Sequence, residues 1–236
     1  MNIKINNLTK TYDNQIVLDN ISLEINNTST IGIIGKSGCG KSTLLRQLAG
    51  IEEPDGGEII IDGLSPITDK IEFQKSIGVV FQKHNLFPHL TLKENISLIL
   101  RKAKNMNKQK ADSIAKQLLE KLFIENEADK RPNMVSGGQN QRCSIARALA
   151  TDPKLIFLDE PTAALDPILT NEVLKAVNQL KNEGINFIFV THEIHFLKQF
   201  ADYIIFFENG IICEHGDVSC LQNPQTTHLA QFLGGI

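Results

Sequence analysis

The run Gly35-Lys36-Ser37-Gly38-Cys39-Gly40-Lys41-Ser42 fits the pattern GxxxxGK[ST], and the chemistry that pattern serves is phosphate binding. Glycines let backbone N–H groups turn inward as an anion nest, and a helix starting at Lys41 adds favourable potential for negative charge. Gly35, Ser37, Gly38, Cys39 and Gly40 are the candidate cradle. Lys41 is placed to reach the β- and γ-phosphates, the Ser42 hydroxyl to ligate Mg²⁺, and Thr43 to bond an α-phosphate oxygen. Hydrolysis needs carboxylates as well. The apolar run Leu155–Leu158 ends on Asp159 and Glu160, which puts both acids at the C-terminal rim of a sheet, where open α/β folds bind ligands. Asp159 is the candidate Mg²⁺ ligand, and Glu160 the candidate base for the attacking water.

These residues need strands and helices to hold them. Short strands are expected at Ile3–Ile5 and Val17–Ile25, with a turn at Asp13-Asn14, and Thr30–Ile34 is an apolar run leading into the phosphate loop. Lys41–Ala49 has helical spacing, Pro54–Gly57 marks a turn, and Glu58–Ile61 and Ile77–Phe81 read as strands. From Asn85 to Ala150 only helices are evident: Lys93–Arg101, Lys108–Phe123 with Ile114, Leu118, Leu119 and Leu122 on one face, and Gly137–Thr151. Strands resume at Leu155–Leu158, Asn186–Val190 and Tyr203–Phe207, between helices at Ile168–Asn182 and Ile194–Gln199. Glu208-Asn209-Gly210 turns into Ile211–Glu214, and Pro224–Leu233 is a last helix. Alternating strands and helices imply a mainly parallel sheet covered on both faces.

Composition narrows the function. With 24 basic and 27 acidic residues the net charge is −3, which argues against nucleic acid as a partner. No apolar stretch is long enough to span a bilayer, and the N-terminus lacks the apolar region of a signal peptide. Cys39, Cys143, Cys213 and Cys220 show no metal or disulfide spacing and are expected to be reduced and mostly buried. Cys39 reads most simply as a small residue filling a variable loop position, and its place near a helix N-terminus offers a more acidic, easily oxidised thiol as the sharper alternative. The basic run Arg101, Lys102, Lys104, Lys108 and Lys110 reads as a solvated helix end.

Ser136-Gly137-Gly138-Gln139, continued by Asn140-Gln141-Arg142, has no use in a phosphate-loop kinase or GTPase. Here the sequence resembles the ATP-binding cassette (ABC) ATPases, with VSGGQNQR in place of the family signature LSGGQ. Tyr12 before the phosphate loop, Gln82 after Ile77–Phe81, Ala164-Leu165-Asp166 after the acids and Thr191-His192-Glu193 follow in the family order, so the resemblance covers nearly the whole chain. It implies a P-loop NTPase (RecA-like) core with a mainly parallel sheet, an N-terminal antiparallel β part and an all-helical insertion carrying the signature. On this division the core is 1–84 and 152–236, and the helical subdomain is 85–151.

The resemblance also assigns roles. Tyr12 stacks adenine, Gln82 contacts Mg²⁺ or the attacking water, and His192 senses the γ-phosphate. Ser136, Gly137, Gly138 and Gln139 face the ATP of a second cassette, and Asp166 links the two sites. ATP and Mg²⁺ are thus the implied ligands, in a head-to-tail homodimer or paired cassette. Val135 replaces the usual leucine and Ala163 a frequent serine, and neither change touches Lys41, Asp159, Glu160 or His192.

The stretch Gln82–Ile96 resembles importers of polar amino acids, as does the short segment after the last motif. That implies integral membrane permease subunits, an extracytoplasmic solute-binding protein and a peripheral place on the cytoplasmic face of the cell membrane. An exporter or lipoprotein-releasing ATPase is the alternative reading. A non-transport cassette is a further one, but the segment between Lys41 and Ser136 is too short for the long coiled coil of DNA-maintenance members.

Overall fold

In β1 (Ile3–Tyr12) the buried residues Ile3, Ile5 and Leu8 break strict alternation, and the reason is local. Asn7 adopts φ 48° and Asn20 φ 49°, the register against β2 (Gln15–Ile25) shifts between Ile5 and Leu8, and Asn7 Nδ2 donates to Asn20 Oδ1 at 2.8 Å. Alternation alone therefore marks only Ile3–Ile5, and the irregularity hides the rest of the strand. Asp13 and Asn14, both left-handed, make the two-residue turn. The computed structural model describes residues 1–163 and 165–234, so Ala164 of the Ala164-Leu165-Asp166 element lies outside the described residues.

Two compact units are present: Met1–Gln74 with Asn186–Ile236, and Lys75–Ile185. In the first, β3 (Thr30–Ile34) is buried along its whole length and leads through the phosphate loop into α1 (Lys41–Leu48). β4 (Gly56–Ile61) pairs antiparallel with β1, giving a three-stranded sheet ordered β2-β1-β4. Next comes α2 (Lys70–Ser76), which sequence periodicity does not reveal because Phe73 is its single buried residue.

The second unit begins with β5 (Ile77–Val80), followed by α3 (Leu92–Ala103), α4 (Lys108–Lys121), α5 (Gly137–Leu149), β6 (Leu155–Asp159) and α6 (Pro167–Asn182). β5 and β6 pair in parallel, Ile77 opposite Leu155. The helices pack through Leu92, Ile96 and Leu100, through Ala111, Ala115 and Leu119, and through Cys143, Ile145 and Ala146. The buried stripe of α4 is thus centred on its alanines and Leu119. Ile114 and Leu118, expected on that face, are only half-buried, because small residues let α4 approach its neighbours closely.

The chain returns to the first unit with β7 (Asn186–Val190), α7 (Ile194–Phe200), β8 (Tyr203–Glu208), β9 (Ile211–Asp217) and α8 (Thr227–Gly234). β3 lies between β7 and β8, parallel to both, and β9 closes antiparallel on β8. Phe187, Phe189, Phe196 and Phe200 pack with ring centroids 5.1–5.5 Å apart, each such burial being worth about 1.5–3 kcal/mol. These strands fix the point from which the phosphate loop springs.

Candidate functional site

In the first unit, the loop after β3 turns because its glycines allow it. Gly35 sits at φ 149°, where a Cβ would lie 1.9 Å from the Phe207 carbonyl oxygen. Gly38 is at φ 77°, with nothing within 4 Å of a Cβ. One position is thus closed against β8 and the other is open. Gly40, at φ 109°, caps α1 with no side-chain hydrogen bond. Lys41 is 5% exposed, and its ammonium donates to Gly35 O at 2.9 Å and Lys36 O at 2.7 Å, which folds the loop around the charge. Ser37 is exposed and Ser42 half-buried. Thr43 is buried, and its hydroxyl accepts from Arg46 Nη2 at 3.2 Å.

Two features of this loop lie beyond motif reading. Lys36 pairs with Glu208 Oε1 at 2.8 Å, tying the loop to the end of β8. The Cys39 thiol donates to Phe207 O at 3.2 Å, and burial pushes its pKa up against the opposing influence of Lys41. This speaks against the alternative of an acidic Cys39, since desolvation outweighs the helix end and the lysine. Nor are the cysteines mostly buried: Cys143 alone is, and its thiol is pushed up to about 12, while Cys39, Cys213 and Cys220 are half-buried. All four are free thiols.

Tyr12 ends β1, 38% exposed as a residue, with its hydroxyl donating to Glu52. His192 is exposed after β7, where buried Thr191 accepts from Glu193 N–H at 3.0 Å and so shapes the turn that presents the imidazole.

The second unit carries the remaining candidates. Asp159 closes β6 and is half-buried. Glu160 stands just beyond at φ 49°, a left-handed conformation that is uncommon for glutamate and recurs at functional positions. Its Oε2 accepts from Gln82 Nε2 at 2.8 Å, so the candidate base and the candidate glutamine are directly joined.

Ser136 caps α5 in a closed box. Its Oγ accepts from Gln139 N–H at 3.2 Å, and its own N–H donates to Gln139 Oε1 at 2.9 Å. The Gln139 side chain therefore shapes the signature turn. Gly137 and Gly138 are the first two residues of the helix, and Asp166 caps α6 by accepting from Leu169 N–H at 2.9 Å.

Further along α5, Arg142 is 5% exposed. It donates to Leu122 O and Phe123 O at 3.2 Å and pairs with Glu172 at 2.8 Å, gripping the end of α4 and the side of α6. Ser144 donates to His84 O at 2.6 Å, and Arg147 donates to His84 O at 3.0 Å and Asn85 O at 2.6 Å. The signature helix thereby holds the backbone just after Gln82. The arginines follow the signature on the same helix, the one hint the sequence offers of this.

Among the described residues, no group of three or more His, Cys, Asp or Glu side chains could hold a metal ion. The Ser42 hydroxyl, Gln82 amide and Asp159 carboxylate are hard oxygen donors of the kind Mg²⁺ takes alongside phosphate oxygens. No helix among the described residues is long and apolar enough to cross a membrane.

A family model described as ABC transporter matches residues 18–163. The chain is 43% identical over 238 residues to the glutamate transport ATP-binding protein GluA of Corynebacterium efficiens, covering 99% of this chain and 98% of that protein. It is also 43% identical over 235 residues to the glutamine transport ATP-binding protein GlnQ of Escherichia coli, covering 98% of each. Among solved structures, an ATP-binding cassette in a dimeric post-hydrolysis state bound to ADP and Pi is similar. There the TM-score is 0.82 and the identity 34%, over 92% of this chain and 98% of that one. With its motifs in family order and a matched segment that spans most of the chain, the protein belongs to the ABC transporter family.

Proposed function

We propose that this chain is the ATP-hydrolysing subunit that powers a membrane ABC transporter importing polar amino acids. The bond between Gln82 and Glu160 carries the catalytic part of this reading. A water next to that pair has a base on one side and an orienting amide on the other. The relatives named for glutamate and glutamine transport support the solute class.

Lys41 and the amides of Gly35–Gly40 cradle the β- and γ-phosphates, Thr43 offers its hydroxyl proton to the α-phosphate, and Tyr12 stacks the base. Ser42, Gln82 and Asp159 would hold Mg²⁺, which neutralises phosphate charge when bound. Glu160 takes the proton of the attacking water, and His192 donates to the γ-phosphate. Ser136, Gly137 and Gly138 offer a second anion-binding turn to the ATP of a partner cassette, with Asp166 at that contact. The partner is a second copy or a paralogue. Permease subunits dock near Gln82 on the helical segment at the cytoplasmic face of the membrane, and an extracytoplasmic binding protein delivers the solute.

Glu160→Gln tests the chemistry. It should bind ATP as the parent does, lower hydrolysis by at least about 100-fold and trap an ATP-dependent dimer. Hydrolysis at the parent rate would remove Glu160 from its role. Uptake of labelled glutamate, glutamine and arginine, with and without the chain, tests the solute class. Unchanged uptake of all three would reject it.

A further inference from the structure

The Tyr12 ring is held from its edge and from one face. Its hydroxyl donates to Glu52 Oε1. Glu52 Oε2 in turn accepts from Arg46 Nε at 3.2 Å, and Arg46 Nη2 donates to Thr43 Oγ1 at 3.2 Å. A chain of four side chains therefore runs from the aromatic ring to the first turn of α1. On the ring face lies Lys10, with Nζ 5.5 Å from the centroid. Lys10 is itself fixed by Asp55 Oδ1 at 3.0 Å, Glu53 O at 2.8 Å and Glu52 Oε1 at 3.6 Å. One face of the ring is thus covered by a cation, which leaves the other for a planar ligand.

We infer that Glu52 is a positioning residue for the nucleotide base: it clamps the Tyr12 hydroxyl at a set place relative to α1, with Lys10 closing the opposite face of the ring. This rests on the reading that Tyr12 stacks the adenine. A ring ordered before the ligand arrives has less freedom to lose on binding, so the clamp acts on affinity. Glu52 is suited to the task. Although burial alone would favour its neutral form, the bonds from Tyr12 and Arg46 hold its pKa below the usual carboxylate value and keep it an ionised acceptor. Because the clamp reaches only the base platform directly, its removal should weaken ligands that carry adenine and spare those that carry phosphates alone.

ADP and inorganic pyrophosphate make that distinction when titrated calorimetrically against the full chain. Glu52→Ala should raise the Kd for ADP about fivefold while leaving pyrophosphate within about twofold. Tyr12→Phe keeps the ring, removes the same hydrogen bond and should match it, so it carries the test if Glu52→Ala does not fold. In a Tyr12→Leu background, Glu52→Ala should add nothing. If Tyr12→Leu weakens ADP but Glu52→Ala and Tyr12→Phe do not, the clamp is rejected and the base platform stands. Equal weakening of both ligands by Glu52→Ala would also reject it, placing Glu52's effect on the phosphates or the fold. If Tyr12→Leu itself leaves ADP binding unchanged, Tyr12 is not the base platform, and the clamp falls with that reading.

Discussion

Two helices of this protein begin at glycine-rich turns and are capped in opposite ways. α1 starts behind Gly40, a left-handed residue with no side chain to accept from the first-turn amides. α5 starts behind Ser136, whose hydroxyl and backbone are closed into a box with Gln139. The first end withholds the oxygen that an N-cap normally supplies, worth about 1 kcal/mol, and leaves it for an anion to provide. The second meets its own requirement, so its shape is set with or without a ligand. Arg142 and Asn140 reinforce that independence, the latter donating to Pro132 O at 2.9 Å. On the proposed reading, the contrast separates a turn to be completed by phosphate from one that holds Ser136, Gly137 and Gly138 in a fixed pose.

The largest break in the comparison should come from the loop side. Gly35→Ala would push a Cβ to 1.9 Å from Phe207 O at a φ that only glycine adopts readily. It is expected to cost more than about 3 kcal/mol in urea denaturation. Parent-like stability would mean that the loop does not spring from β3 as described. Gly38→Ala meets nothing within 4 Å and should cost about 1–2 kcal/mol for its left-handed backbone. Its signature is functional, because the methyl stands where the cradle opens. ADP should raise the melting temperature of the parent and fail to raise that of Gly38→Ala. Equal ADP-induced shifts in the two would place the phosphates elsewhere.

Sequence reading reaches furthest where the chemistry it assigns sits in short segments. GKSGCGKS, the acids after Leu155–Leu158 and the signature each carry residue types and spacings that need nothing distant to be recognised. The run Thr30–Ile34 names its strand because every residue in it is buried. Reading failed where partners come from far along the chain. Lys36 and Glu208 are 172 residues apart, Tyr12 and Glu52 are 40 apart, and neither pair leaves a local trace. The acidity of Cys39 is undecided by sequence for the same reason: the helix end is visible there, but the burial that overrides it depends on a fold that brings Phe207 O to the thiol. The left-handed Glu160 has no compositional signal, since glutamate seldom adopts that conformation.

On the capped side, smaller effects are expected, and they grade the box. Ser136→Ala removes the acceptor for Gln139 N–H and should destabilise by about 1 kcal/mol, while Gln139→Ala, which spares the Ser136 hydroxyl, should cost about half as much. Denaturation of both variants without nucleotide provides the check. A larger loss in Gln139→Ala would mean that the reach back to the Ser136 amide dominates.

The finest distinction is between this box and its twin on α3, where Thr91 accepts from Glu94 N–H at 3.1 Å and Glu94 Oε2 accepts from Thr91 N–H at 2.9 Å. The geometry matches, but the third residue is ionisable in one box and neutral in the other. The backbone bond from Thr91 is the main reason that the pKa of Glu94 lies below its ordinary value of 4.5. The unfolded chain therefore binds the proton more readily than the folded one. The α3 box accordingly gives its full contribution above about pH 4.5, and loses it as the pH falls through the lower folded-state value. Gln139 has no such dependence. Glu94→Gln should thus make α3 resemble α5, and the stability difference between parent and variant, small at pH 7, should shrink towards zero as acid protonates Glu94. Paired melting curves at pH 7 and in steps below pH 4.5 measure this directly. A difference that stayed constant across that range would show that the carboxylate charge adds nothing to the cap beyond the shape an amide already provides.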